Sequence, residues 1–142
     1  MKILIINGPN LNLLGVRETD IYGTIAFEDH FRQLEEHFDN KAELTFFQSN
    51  HEGALIDHLQ LADRNFDAVV LNPAGYTHTS IAIADTVRAI RCPVIEVHIS
   101  NIFNREPFRQ QTLTGASCLG CIFGLGLEGY RLAVQYLIDS QS

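Results

Sequence analysis

Lysine is close to absent from this chain of 142 residues: Lys2 and Lys41 are the only two. Each falls where a strand-like segment begins, away from the strand ends at which α/β proteins bind their ligands. A mechanism that forms a Schiff base therefore has no desolvated lysine to use. Positive charge is scarce in general, with 10 Lys and Arg against 17 Asp and Glu and a formal net charge of −7. Nucleic acid is thereby excluded as a partner, since phosphate neutralisation needs a basic surface. An anionic small substrate is not excluded, because a site needs only local arginines. Cysteine is limited to Cys92, Cys118 and Cys121. An odd number in apolar surroundings indicates reduced thiols in a cytoplasmic protein rather than a disulfide framework. No apolar run could span a bilayer: the longest, 68–71 and 121–127, are far too short. The N-terminus lacks the pattern of a signal peptide, and there is no internal repeat, linker or low-complexity segment. What remains is a chain with 46% apolar residues, sized for a single domain over 1–142 with a substantial core.

Five strand-like segments alternate with helical patterns. The strands are expected at Lys2–Asn7 and at 42–48, 68–72, 93–98 and 117–123, and the helices at 25–38, from Ser49 to about 65, 80–90 and 127–138. Thr24 stands as N-cap of the first helix, whose Phe27, Phe31, Leu34 and Phe38 recur at helical spacing. Ser49 and Glu52 have the spacing of a capping box, and Ala54, Leu55, His58, Leu59 and Ala62 form the inward face that follows. Segment 68–72 is apolar on both faces, as a central parallel strand covered by helices on both sides must be. The alternation implies right-handed crossovers and an α/β doubly wound parallel sheet. Five strands favour the flavodoxin-like order 2-1-3-4-5.

The carboxyl ends of the strands, where such sheets bind ligands, gather the chain's polar residues. They comprise Asn7 and the loop behind it, 48–50, 72–78 and 96–101. The loop from Gly8 to about Gly23 is much longer than the few residues that normally join a strand to its helix. Its interleaved Leu11, Leu13, Leu14 and Ile21 make it too apolar for a disordered segment, so 8–23 reads as a lid. It carries Asn10, Arg17 and Tyr22. A tyrosine serves as a base at neutral pH only if a cation stabilises its phenolate, and an arginine can do so while staying protonated. These two residues by themselves equally allow an exposed tyrosine beside a solvated arginine. In Asn72-Pro-Ala-Gly-Tyr-Thr-His78, Pro73 and Gly75 make a rigid turn that presents Asn72 and His78 at the rim. Glu96 and His98 share a face of the fourth strand, so the carboxylate can orient the imidazole for acid/base work. A solvent-capped histidine at a strand end is the plainer alternative. Arg105 and Arg109 add two cations near that rim, for substrate or for ion pairs.

Three motif matches carry little. Gly124, Gly126 and Gly129 spell GxGxxG after a strand, but only 13 residues follow, too few for a dinucleotide-binding βαβ unit. These glycines let the last helix pack closely on the sheet. Cys118 and Cys121 spell CxxC, yet in a strand such positions point to opposite faces, whereas a redox pair opens a helix. The six histidines show no metal spacing, and His58 reads as a core or boundary residue. A flavin-binding module at the same rim would need a phosphate-cradling loop after the first strand, where Gly8-Pro-Asn is stiff and short of amide donors.

The segments NGPNLNLLGVRE…YG (7–23), QSNHEG (48–53), NPAGYTHTS (72–80), EVHISN (96–101), REPFR (105–109) and GLGLEGY (124–130) occur in order across nearly the whole chain. Together they resemble type II 3-dehydroquinate dehydratase, a shikimate-pathway lyase. The resemblance implies elimination of water from 3-dehydroquinate to give 3-dehydroshikimate, with no metal and no cofactor. It implies Tyr22 as the base that removes the proton α to the ketone, with its phenolate favoured by Arg17. It further implies Asn10 placing a water on the enolate oxygen, and His98 protonating the departing hydroxyl while Glu96 orients it. Asn72, His78, the Ile99–Ser100 backbone amides and Arg109 match positions that hold the ring hydroxyls and carboxylate. Asp85 matches a residue that reaches a neighbouring subunit's site, in a homododecamer built from trimers. Two departures stand out. Thr19 replaces a frequent proline after Arg-Glu, which raises loop entropy and implies a more mobile open lid. Thr112 stands where many members carry serine, and retains the hydroxyl.

Overall fold

The computed structural model describes residues 1–141. Along β1 (Lys2–Asn7), Ile3 and Ile5 face one side and Leu4 and Ile6 the other, all four buried, because successive strand side chains alternate. The same division runs through β3 (Ala68–Asn72), in which every residue is buried. Burying Val69, Val70 and Leu71 is worth roughly 1.5–3 kcal/mol each relative to exposure, which fixes this segment at the centre. β2 (Glu43–Gln48), β4 (Val94–His98) and β5 (Gly120–Phe123) complete a five-stranded parallel sheet ordered β2-β1-β3-β4-β5. This is the doubly wound α/β order expected from the sequence.

Helices cover both faces. α2 (Phe27–His37) and α5 (Glu128–Ser140) bring Phe27, Leu34, Tyr130, Val134 and Leu137 against Ile3, Ile5, Val70 and Val97. On the other face, α3 (Glu52–Asn65) and α4 (Ile81–Ala89) bring Leu55, Leu59, Ile83 and Val87 against Leu4, Ile6, Val69 and Leu71. Among the described residues no helix is long and apolar enough to cross a membrane.

Local chemistry departs from expectation at several helix and strand ends. α2 begins later than Thr24 allows: its N-cap is Ala26, without a side-chain cap. Ser49 and Glu52 form no capping box. The N-cap of α3 is His51, and the Ser49 hydroxyl accepts instead from the His51 N–H at 3.0 Å. α4 does have the cap its sequence suggests, with Ser80 accepting from the Ile83 N–H at 2.9 Å. β5 is shorter than 117–123, because Gly115–Ser117 is a 3-10 turn and Cys118 caps it outside the strand. The opposed-face argument for the cysteines therefore does not apply.

The long loop also contains structure that its sequence did not announce. A 3-10 turn over Leu11–Leu13 follows Asn10, whose φ is 69°. Leu11 and Leu14 are buried in the core beneath it. A one-turn helix, α1 (Thr19–Tyr22), then carries Tyr22, entered through Glu18 in a left-handed conformation and left through Gly23 at φ 84°. Two buried leucines thus anchor the loop, and its far end presents Tyr22 from a helical turn.

Candidate active site

All five parallel strands end at one edge, where Asn7 lies in register with both Gln48 and Asn72, and His98 with Phe123. The chain after β1 can run this close to the chain after β3 because residue 8 is glycine. An added Cβ would lie 2.5 Å from the Pro73 carbonyl oxygen, while the Gly8 N–H donates to the Asn72 carbonyl at 2.8 Å. Behind this edge three side chains from distant parts of the sequence form a chain of hydrogen bonds. Asn72 Nδ2 donates to the Tyr130 hydroxyl at 2.9 Å, and that hydroxyl donates to Asn7 Oδ1 at 2.8 Å. Asn72 Oδ1 accepts from the Ala74 N–H at 3.1 Å, so both ends of its carboxamide are held. Burial pushes the pKa of Tyr130 well up despite its two amide partners. It is a fixed donor, not a base.

In front of the edge is a pocket of about 130 Å³, partly open to solvent, closed on one side by the loop. Asn10, Arg17, Tyr22, Asn72, His78, His98, Ile99, Ser100 and Arg109 all line it. Glu96 stands behind His98, and Asp85 lies outside the pocket, exposed on α4 and paired with Arg88 at 3.4 Å.

Two acid/base assemblies share this pocket. The first is Tyr22, whose ring has two guanidinium groups close by: Arg17 Cζ is 5.4 Å and Arg105 Cζ 5.6 Å from its centroid. The direct contact to the phenol comes from Arg105, whose Nη1 donates to the Tyr22 hydroxyl at 3.0 Å and to Ser100 Oγ at 3.2 Å. Arg17 is instead paired with Glu18 at 2.9 Å. The chain's numbering hid this, because Arg105 arrives from the turn after β4, 83 residues from Tyr22. Its only signal in the sequence was its place in REPFR beyond a rim strand.

The second assembly is His98. Its Nε2 donates to Glu96 Oε2 at 3.0 Å, and both side chains are buried. Glu96 also accepts from the Thr112 hydroxyl at 2.7 Å and from the Thr114 hydroxyl. With Nε2 committed to the carboxylate, Nδ1 is the free nitrogen of His98. His78 stands beside it, ring centroids 6.5 Å apart, with Nδ1 donating to the Gln111 carbonyl at 2.6 Å. Burial, and beyond it the neighbouring His98 and Arg109, holds the pKa of His78 below the ordinary histidine value, against the opposing pull of the Gln111 carbonyl. With its Nδ1–H given to Gln111, a neutral His78 has Nε2 left as an acceptor that a hydroxyl can use.

No lysine lines the pocket, and among the described residues no group of three His, Cys, Asp or Glu could hold a metal ion. The partly buried thiols are poor nucleophiles: burial, and then the Asp63 and Asp67 charges, push Cys92 up to about 11, and burial with the Glu96 charge raises Cys118 further. The fold and site together define an enzyme of the α/β class with a cation-bound phenol and a carboxylate-bound imidazole in one cleft.

The family described as Dehydroquinase class II matches residues 1–138. A 3-dehydroquinate dehydratase of Clostridium botulinum (strain Loch Maree / Type A3) is 48% identical over 142 residues, covering 99% of this chain and 97% of its own length. One from Fusobacterium nucleatum is 49% identical over 143 residues, with coverage of 98% and 97%. The crystal structure of the type II dehydroquinase from Butyrivibrio crossotus superposes with a TM-score of 0.93 at 47% identity, covering 96% of this chain and 97% of that one. The chain belongs to the class II dehydroquinase family, the type II 3-dehydroquinate dehydratases.

Proposed function

We propose that this enzyme eliminates water from 3-dehydroquinate to give 3-dehydroshikimate through an enolate, with Tyr22 as base and His98 as general acid. An α-proton of a ketone is weakly acidic, so a base must be paired with stabilisation of the developing oxyanion. In this reading the Tyr22 phenolate, favoured by Arg105 and Arg17, takes the α-proton, and the C–H electron pair moves into the enolate. Asn10 places a water against the enolate oxygen. Collapse of the enolate restores the ketone, forms the new double bond and expels the β-hydroxyl. His98 protonates that group so that it leaves as water, with Glu96 holding the imidazole. Asn72, His78, the Ile99–Ser100 backbone amides and Arg109 hold the ring hydroxyls and carboxylate. No metal or cofactor takes part.

The observation that carries this reading is the Arg105–Tyr22 contact at 3.0 Å in the same pocket as the His98–Glu96 pair at 3.0 Å. Asp85, exposed and outside its own pocket, fits a role at a neighbouring subunit's site in a homododecamer built from trimers, and the expected location is cytoplasmic. The test follows enone absorbance after 3-dehydroquinate is added, with and without EDTA. Activity insensitive to EDTA is expected, and a loss on chelation contradicts the metal-free mechanism. Tyr22→Phe is expected to cut kcat by at least ~100-fold while substrate still binds; a near-wild-type kcat removes Tyr22 as base.

A further inference from the structure

We propose that Thr112 and Thr114 are positioning residues for the acid step, clamping the Glu96 carboxylate so that His98, which must carry both ring protons to act as the acid, is held in one orientation. The proposal deepens the reading of His98 as general acid and rests on it. Glu96 is 0% exposed, and a buried carboxylate is tolerated only when its oxygens are fully hydrogen-bonded. Its partners come from two parts of the chain. Oε1 accepts from the Thr114 hydroxyl, and Oε2 accepts both from the Thr112 hydroxyl at 2.7 Å and from His98 Nε2 at 3.0 Å.

The direction of these bonds is determined by their neighbours. The Thr112 oxygen accepts from the Gly115 N–H at 2.8 Å and lies 3.3 Å from the Thr114 oxygen, and its single proton goes to Glu96, the nearer acceptor at 2.7 Å. Three donors converging on one carboxyl group are the pattern of a carboxylate, which only accepts. With Nε2–H given to this anion at 3.0 Å, Nδ1 is the nitrogen that faces the reaction, and it carries the second proton of the imidazolium that is transferred in the acid step. Without the two hydroxyls, Glu96 could rotate about its terminal torsion, which is broad, and His98 would lose its fixed partner.

The chain leaves no slack around this clamp. A Cβ on Gly115 would lie 2.8 Å from Thr112 Cγ2, 2.9 Å from Cys121 Sγ and 2.9 Å from Glu96 Oε2. Glycine at 115 thus lets the turn after Thr114 close directly onto the carboxylate.

The experiment is a double-mutant cycle in the intact enzyme, reading kcat and KM for 3-dehydroquinate in His98→Ala, Thr114→Val, Thr112→Val and the combinations with His98→Ala. Thr114→Val and Thr112→Val are each expected to lower kcat about tenfold with KM little changed, and Thr114→Ser and Thr112→Ser to restore it. In the His98→Ala background neither valine should lower kcat further, since the clamp acts only through that imidazole. Wild-type kcat in both valine variants, or the same fold-loss with and without His98, overturns the proposal. Loss of kcat and rise of KM together without rescue by serine likewise reduces the threonines to a structural role. Full kcat in His98→Ala overturns the acid assignment itself, a separate result from failure of the clamp. Should Thr114→Val not fold, the Thr112→Val cycle decides alone.

Discussion

Replacing Arg105 with methionine removes the one cation in direct contact with the proposed base while keeping most of the side-chain volume. Arg105 Nη1 lies 3.0 Å from the Tyr22 hydroxyl and its side chain is 12% exposed, so the pair is neither solvated nor fully dry. Coulomb attraction between a guanidinium and a phenolate oxygen at that separation spans about 1.4 kcal/mol in water to about 5.5 kcal/mol at an effective dielectric of 20. Measured hydrogen bonds to charged groups fall between, at about 1.5–3 kcal/mol. Without the guanidinium less of Tyr22 is in the phenolate form that takes the α-proton, so this loss appears in kcat. The expected decrease is about 10- to 150-fold, with a smaller change in KM. Arg105→Lys should recover part of it, since an ammonium supplies the charge but not the planar fork that also reaches Ser100. The assay is enone formation at saturating 3-dehydroquinate. If Arg105→Met keeps kcat within about twofold of wild type, the contact does not activate Tyr22.

Three further outcomes follow from the same geometry. Tyr130→Phe leaves Asn72 Nδ2 and Asn7 Oδ1 without their shared partner and is expected to cost about 1–3 kcal/mol of stability, read as a lower urea midpoint; an unchanged midpoint contradicts the network. Gly8→Ala forces a methyl against the Pro73 carbonyl and is expected to cost about 1–3 kcal/mol, with KM raised as Asn72 is displaced; wild-type stability and KM refute the close approach. His30 and His78 both have lowered pKa values, caused first by burial, so below about pH 6.5 the unfolded chain binds more protons than the native one. Stability is therefore present above that value and falls as pH drops through the folded values. Urea midpoints at about pH 7.5 and about pH 5.5 should differ, and His30→Leu should narrow the gap; a pH-independent wild-type midpoint refutes the assignment.

The parts of the molecule that were legible beforehand are those set by repeating local chemistry. The uninterrupted apolar runs at 3–6 and 68–71 state which strands are buried on two faces. Glu96 and His98 could be paired because residues two apart in a strand must share a face. Element ends were less legible, since Thr24 and Ser49 have good capping chemistry that the chain does not use there. Two buried leucines and the turn at Gly15, where φ is 92°, set the course of the loop instead.

What the sequence by itself determined is the layered α/β sheet and the edge at which its polar residues meet, because hydrophobic period and strand direction are local properties. Only the tertiary structure decided which groups touch. Arg105 rather than Arg17 bonds to Tyr22, Tyr130 holds Asn72, and Thr112 and Thr114 hold Glu96. A hydrogen bond forms over about 3 Å, and the parallel sheet brings residues far apart in the chain within that distance, where no spacing along the chain can report it.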